Sequence, residues 1–247
     1  MIPSRYRVSH AVAATVILVA TVMSNGPSAF WRQFLHGLPS TMTPKMLMLN
    51  LAGTAIIFGS ILLGIWISTL FRRKVRSDAD VKSHAVTWEH RLKGMRFALI
   101  LAPAIFAVAF GLNWVSGHVL ELIVGETPAE QELVRCLLDG QYPPAVRCAL
   151  FAAVLFSAPL LEEPLFRGVV FRGLASSLPV PAAMAISGFI FALIHVNAAT
   201  MLPLWWLGCA FAWLYVRTGT ILAPIVVHAA FNAVNLVLLI AFPDHAA

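Results

Sequence analysis

The sequence predicts an all-α protein, a polytopic transmembrane helix bundle of about seven spans that forms one membrane domain over residues 1–247. Three observations point there. Hydrophobic residues make up 60% of the 247 and charged residues 11%, with a mean hydropathy of +0.83, far more apolar than a soluble globular domain. The apolar residues come in runs close to the ~20 that cross a hydrocarbon core. The carboxylates avoid those runs. Of eleven, Glu162 and Glu163 alone stand in the middle of an apolar stretch, ALFAAVLFSAPLLEEPLFRGVVFRGL.

The spans run in order from Val8 to Met23, Met46 to Leu70, Arg96 to Ser116, Ala145 to about Arg172, Pro181 to Val196, Met201 to Arg217 and Ile221 to Phe242. The first is short, and a signal peptide is its rival reading. No small-x-small cleavage site closes it, so it is read as a span. The connection over 24–45, with Phe30, Trp31, Phe34 and Leu35, suits the membrane interface. Charge orients the spans. Between Arg72 and Arg96 stand eight Lys/Arg against three acids, which makes that segment cytoplasmic by the positive-inside rule. From Gly117 to Arg147 five acids face two arginines, as on the far side. Thr127 to Asp139 reads as a short amphipathic helix on that outer surface, most simply a solvated connector. The expected topology is N-terminus cytoplasmic and C-terminus outside, in what is read as a bacterial plasma membrane. The basic stretch is then a topology determinant that can also touch anionic lipid.

Several classes drop out. The net charge of +6 is explained by topology, and no nucleic-acid motif, Gly-rich phosphate loop, internal repeat or low-complexity tract is present. Cys136, Cys148 and Cys209 have neither disulfide nor zinc-knuckle spacing and read as small apolar fillers. Trp205, Trp206 and Trp213 read as packing or lipid-facing aromatics.

An ionised side chain at bilayer depth costs from ~3 to ~10 kcal/mol, so Glu162 and Glu163 mark a functional site. Glu163 and Arg167 are four apart and share a helical face, so an ion pair neutralises that carboxylate. Glu162 points about 100° away and stays free for a cavity. Pro159 and Pro164 bracket the pair and, lacking N–H donors, predict a local kink. Two further polar groupings stand on later spans: Phe191-Ala-Leu-Ile-His195, in which a buried histidine ends an aromatic helical face, and His228-Ala-Ala-Phe-Asn232, with Asn235 on the same stripe. Each alone has a plain reading as a structural ion pair or interhelical hydrogen-bond glue. Their depths suggest that they meet. Glu162 lies 16 residues before Leu178 and His195 lies 16 after Pro179, ~24 Å from the same turn at ~1.5 Å per residue. His228, 11 residues past Arg217, reaches ~16 Å; helix tilt must supply the ~8 Å difference.

Glu162-Glu163-x-x-x-Arg167, Phe191-x-x-x-His195 and His228-x-x-x-Asn232, in that order on successive spans, resemble the CPBP or Abi family of intramembrane endopeptidases, which includes the type II CAAX prenyl endopeptidases and bacteriocin-processing and immunity relatives. The resemblance covers about 100 residues. It places the catalytic core over 145–242 and leaves 1–144 as N-terminal spans and loops. It implies a protease whose catalytic set is Glu162, Glu163, Arg167, His195, His228 and Asn232. Glu162 and His195 activate a water, His228 and Asn232 donate to the oxyanion, and Glu163 with Arg167 orients Glu162. It favours chemistry with no cofactor and no metal. The alternative is zinc held by Glu162, His195 and His228 with water as fourth ligand. The implied partners are the lipid bilayer and a membrane-associated peptide or protein substrate, without nucleic acid. A prenyl group is not carried over, because nothing in these residues reads one. Two other classes stay open: a non-catalytic membrane immunity or scaffold protein using the same cavity, and, ranked last for want of repeated halves, a proton-coupled transporter.

Overall fold

The computed structural model describes residues 87–124 and 143–242. Among these, every regular element is helical: α1 (Trp88–Val124), α2 (Pro144–Leu174), α3 (Val180–Leu193), α4 (Ala198–Thr218) and α5 (Leu222–Ala241). Four of them, α1, α2, α4 and α5, are long and apolar enough to cross a membrane, while α3 is a shorter apolar helix. The expected spans at Val8–Met23 and Met46–Leu70, and the amphipathic helix at Thr127–Asp139, lie outside the described residues.

Boundaries differ from expectation in two places. The third span was expected to cover Arg96 to Ser116, but α1 runs past both ends, from Trp88 to Val124, 37 residues. A charge ends a membrane span without ending a helix. Glu89 and Lys93, 2.8 Å apart and exposed, simply decorate its first turns. At ~1.5 Å per residue α1 is ~56 Å long, well beyond a ~30 Å hydrocarbon core. The fifth span was expected to reach Val196, but α3 stops at Leu193 after 14 residues. Its chain turns through Ile194 and His195, and α4 begins at Ala198, capped by Asn197 Oδ1, which accepts from Thr200 N at 3.2 Å. Val196 takes φ +49° within that turn, a conformation that a β-branched side chain adopts only under strain.

The bracketing prolines leave their mark on α2. Its α-helical centre, Ala158–Leu165, is flanked by π-helical turns at Ala153–Ser157 and Phe166–Phe171. Wide turns of this kind accommodate a missing N–H and re-aim side chains, and they recur at functional sites.

Helix α4 is the hub, packing against α3, α1 and α5, while α5 packs on α1 and α2. Ala98, Ala102 and Ala109 of α1 meet Leu207, Ala210, Phe211 and Leu214 of α4 and Ala223 and Val227 of α5. Small side chains at such contacts let apolar helices approach in lipid, where close packing replaces the hydrophobic drive. The closest approach joins α3 to α4. A Cβ on Gly208 would stand 2.6 Å from Gly188 Cα, and one on Gly188 would stand 2.9 Å from Cys209 N. Trp205 and Trp206, expected only to pack or face lipid, donate their indole N–H groups to Ala185 O (2.9 Å) and Ile105 O (3.1 Å). They tie α4 to α3 and α1.

Candidate active site

Glu163 faces inward from the α-helical centre of α2 and is fully buried, as is Arg167 one turn on. Arg167 Nε lies 3.0 Å from Glu163 Oε2. Neither atom makes a hydrogen bond, so this is charge contact at short range without donor alignment. Arg167 Nη2 donates to Gly208 O at 3.3 Å. The rest of the guanidinium is enclosed by the rings of Phe191, Phe211 and Phe166, at 5.0, 5.2 and 5.9 Å from their centroids. Aromatic faces are the surroundings in which a buried cation loses least, because their quadrupole replaces part of its lost solvation.

The expected ion pair is present, and it has a third member. His228 Nδ1 donates to Glu163 Oε1 at 2.9 Å, across 65 residues of sequence. Glu163 therefore uses one oxygen on Arg167 and the other on His228. The opposite ring nitrogen, His228 Nε2, lies 3.9 Å from Glu162 Oε2, beyond direct hydrogen-bond reach. Glu162 keeps 17% of its side chain exposed, against 0% for Glu163. The two adjacent carboxylates thus have opposite situations: one is locked, the other is partly open. The His228 ring is stacked on Phe211, centroids 5.1 Å apart at 25°, and meets Phe191 edge-on at 5.9 Å.

His195 does not sit on α3 as expected. It lies in the turn beyond the helix end, half-buried, with its backbone N bonded to Ala192 O. Its Nδ1 is 2.7 Å from Phe191 O. A carbonyl only accepts, so Nδ1 carries the hydrogen, and neutral His195 presents an Nε2 lone pair. Phe191 touches both histidines, its centroid 4.9 Å from that of His195. It is the common wall between the two motifs.

Asn232 Nδ2 donates to Val154 O, at 2.8 Å, in the first π-helical turn of α2. Its second amide N–H has no partner among the described residues. Asn235 bonds back to Phe231 O of its own helix at 2.9 Å and does not join the cluster. Sequence reasoning missed Gly208 and Phe211, whose helix carries no motif. It also missed the Glu163–His228 bond, having paired Glu163 with Arg167 alone.

For zinc, Glu162, His195 and His228 would have to converge as ligands. Among the described residues no group of three His, Cys, Asp or Glu side chains is gathered so as to hold a metal ion. No step of the proposed mechanism is routed through a metal.

Comparison with known proteins bears on the segment that holds this cluster. Residues 144–234 match the family model described as type II CAAX prenyl endopeptidase Rce1-like. Neither the curated proteins nor the solved structures contain a match. The match takes in all of the residues Glu162, Glu163, Arg167, His195, His228 and Asn232, and over this segment the chain is similar to the Rce1-like CAAX proteases, a family of peptide hydrolases.

Proposed function

We propose that the chain is an intramembrane endopeptidase that hydrolyses peptide bonds of membrane-embedded, lipid-anchored or small hydrophobic peptides without a metal, with 145–242 as its catalytic core. The observation that carries this reading is the contrast between the two adjacent glutamates, Glu163 locked between Arg167 and His228 and Glu162 left partly open beside the same histidine.

Hydrolysis needs a deprotonated water, a proton carrier and donors for the tetrahedral oxyanion. In the proposed sequence the water donates one hydrogen to the His195 Nε2 lone pair and loses the other to Glu162 as its oxygen attacks the scissile carbonyl. His228, oriented by the bond of its Nδ1 to Glu163 Oε1, turns Nε2 as a donor toward the developing oxyanion. The second amide N–H of Asn232 joins it. When the tetrahedral intermediate collapses, the C–N bond breaks and Glu162 returns its proton to the leaving nitrogen. A carboxylic acid and an amine result, and the acid's proton, the one that faced His195, passes through that imidazole to the amine, leaving a carboxylate and an ammonium.

By the charge rule the helix ends that carry Arg172 and Arg217 face the cytoplasm, and the proposed cavity opens toward that half. Substrates would approach from that half of a bacterial plasma membrane, with the chain's N-terminus on the same side. The test is a cleavage assay in detergent on a library of membrane peptides, comparing wild type, Glu162→Ala and His195→Ala. Loss of turnover in both variants, with wild-type turnover indifferent to a chelator, supports the reading. Equal turnover in all three ends it.

A further inference from the structure

We infer that Asn232 is a positioning residue which repairs the helix defect made by Pro159, and so fixes the rotation at which α2 presents Glu162 and Glu163. The inference goes beyond the hydrolase reading, which uses only the other N–H of the same amide.

One carbonyl decides the matter. In the first π-helical turn of α2 the Ala158 N–H bonds back five residues to Ala153 O. Val154 O therefore loses its ordinary helical donor, which Ala158 would have supplied. The next donor in the wide register would be residue 159, and Pro159 has no N–H. Both donors within reach along the chain are gone. A carbonyl without a partner is costly at membrane depth, where no water replaces the lost bond. Asn232 fills the position, with Nδ2 2.8 Å from Val154 O.

The consequence for the site is geometric. Val154 precedes Glu162 by eight residues, and between them the backbone changes from π to α register. Had the turn relaxed to a regular α-helix, every later side chain would rotate about the axis relative to α5. Glu163 would then leave His228. Asn232 and His228 are four apart on α5, so the histidine that binds Glu163 and the amide that sets its helical phase share one face. A rigid rod thus grips α2 at two heights.

The experiment compares wild type with Asn232→Ala, Pro159→Ala and the double variant in detergent, reading the thermal midpoint and the side-chain 15N signal of His228, both without substrate. Pro159→Ala restores an N–H to the damaged turn, which makes the amide redundant. We expect Asn232→Ala to lower the midpoint by roughly 2–8 °C and to move the His228 signal as its bond to Glu163 weakens. In the Pro159→Ala background the same change should do much less to both. Equal losses in the two backgrounds, or a His228 signal that Asn232→Ala leaves in place, overturn the inference. Asn232→Asp in the wild-type background is the second check. It keeps the shape but offers an acceptor to an acceptor, so it must lose at least as much as alanine, and a wild-type midpoint and signal would likewise overturn it. Neither readout involves cleavage, so a chain that hydrolyses nothing can still pass or fail this test.

Discussion

Glu163 binds His228 at 2.9 Å through one carboxylate oxygen while the other lies 3.0 Å from Arg167, so a single buried acid joins α2 to α5 and holds the cation that contacts α4. Removing one member of such a set leaves an uncompensated charge in a medium that cannot solvate it. That is far costlier than removing the pair.

Glu163→Gln and Arg167→Met should each destabilise the protein by about 3–5 kcal/mol, and the double variant by clearly less than their sum. Thermal or denaturant unfolding of the three in detergent measures the coupling. Additive losses would mean that the two groups do not interact energetically.

Phe211 is buried with its ring against both Arg167 and His228. Phe211→Leu keeps the site apolar but removes the π face. A cation–aromatic contact away from water contributes about 0.5–2 kcal/mol, so stability should fall by roughly that much, and cleavage should slow through kcat with KM little changed. Phe211→Tyr, which keeps the ring, should retain most of both. A leucine variant with wild-type kcat would remove the ring from the account.

Where α3 crosses α4, a methyl on Gly208 would meet Gly188 Cα at 2.6 Å. Backbone cannot yield as a flexible side chain can. Gly208→Ala must therefore spread the two helices, at about 1–3 kcal/mol, and loosen the Arg167 bond to Gly208 O. A thermal midpoint unchanged from wild type would contradict that crossing.

What the sequence made legible was the chemistry at fixed spacing along one helix. The i, i+4 relation of Glu163 to Arg167 placed their ion pair, whereas residue counting left His228 ~8 Å short of Glu162, a gap the structure closes to 3.9 Å. Face arithmetic failed where the helix was not regular. One hundred degrees per residue presumes α-geometry, and α2 enters and leaves the site through π-helical turns, so the histidine found Glu163 as well as Glu162. His195 was read as helical because the apolar run continues to Val196, whereas α3 ends at Leu193 and no glycine or proline marks the stop. Phe211 could not be singled out at all. Among 16 phenylalanines, the one that stacks on a histidine carries no local signature, since its partner is supplied by another helix.

The most direct measurement of the central claim is kcat for a membrane peptide with wild type, Glu162→Gln and His195→Gln, each shown by its thermal midpoint to be folded. Glu162 bonds nothing that holds the bundle together among the described residues, so the amide variant should fold normally. With its base gone, it should lose about 10²–10⁴ in kcat, and His195→Gln should lose a comparable factor with the midpoint retained. A folded Glu162→Gln protein that cleaves at the wild-type rate would contradict the account.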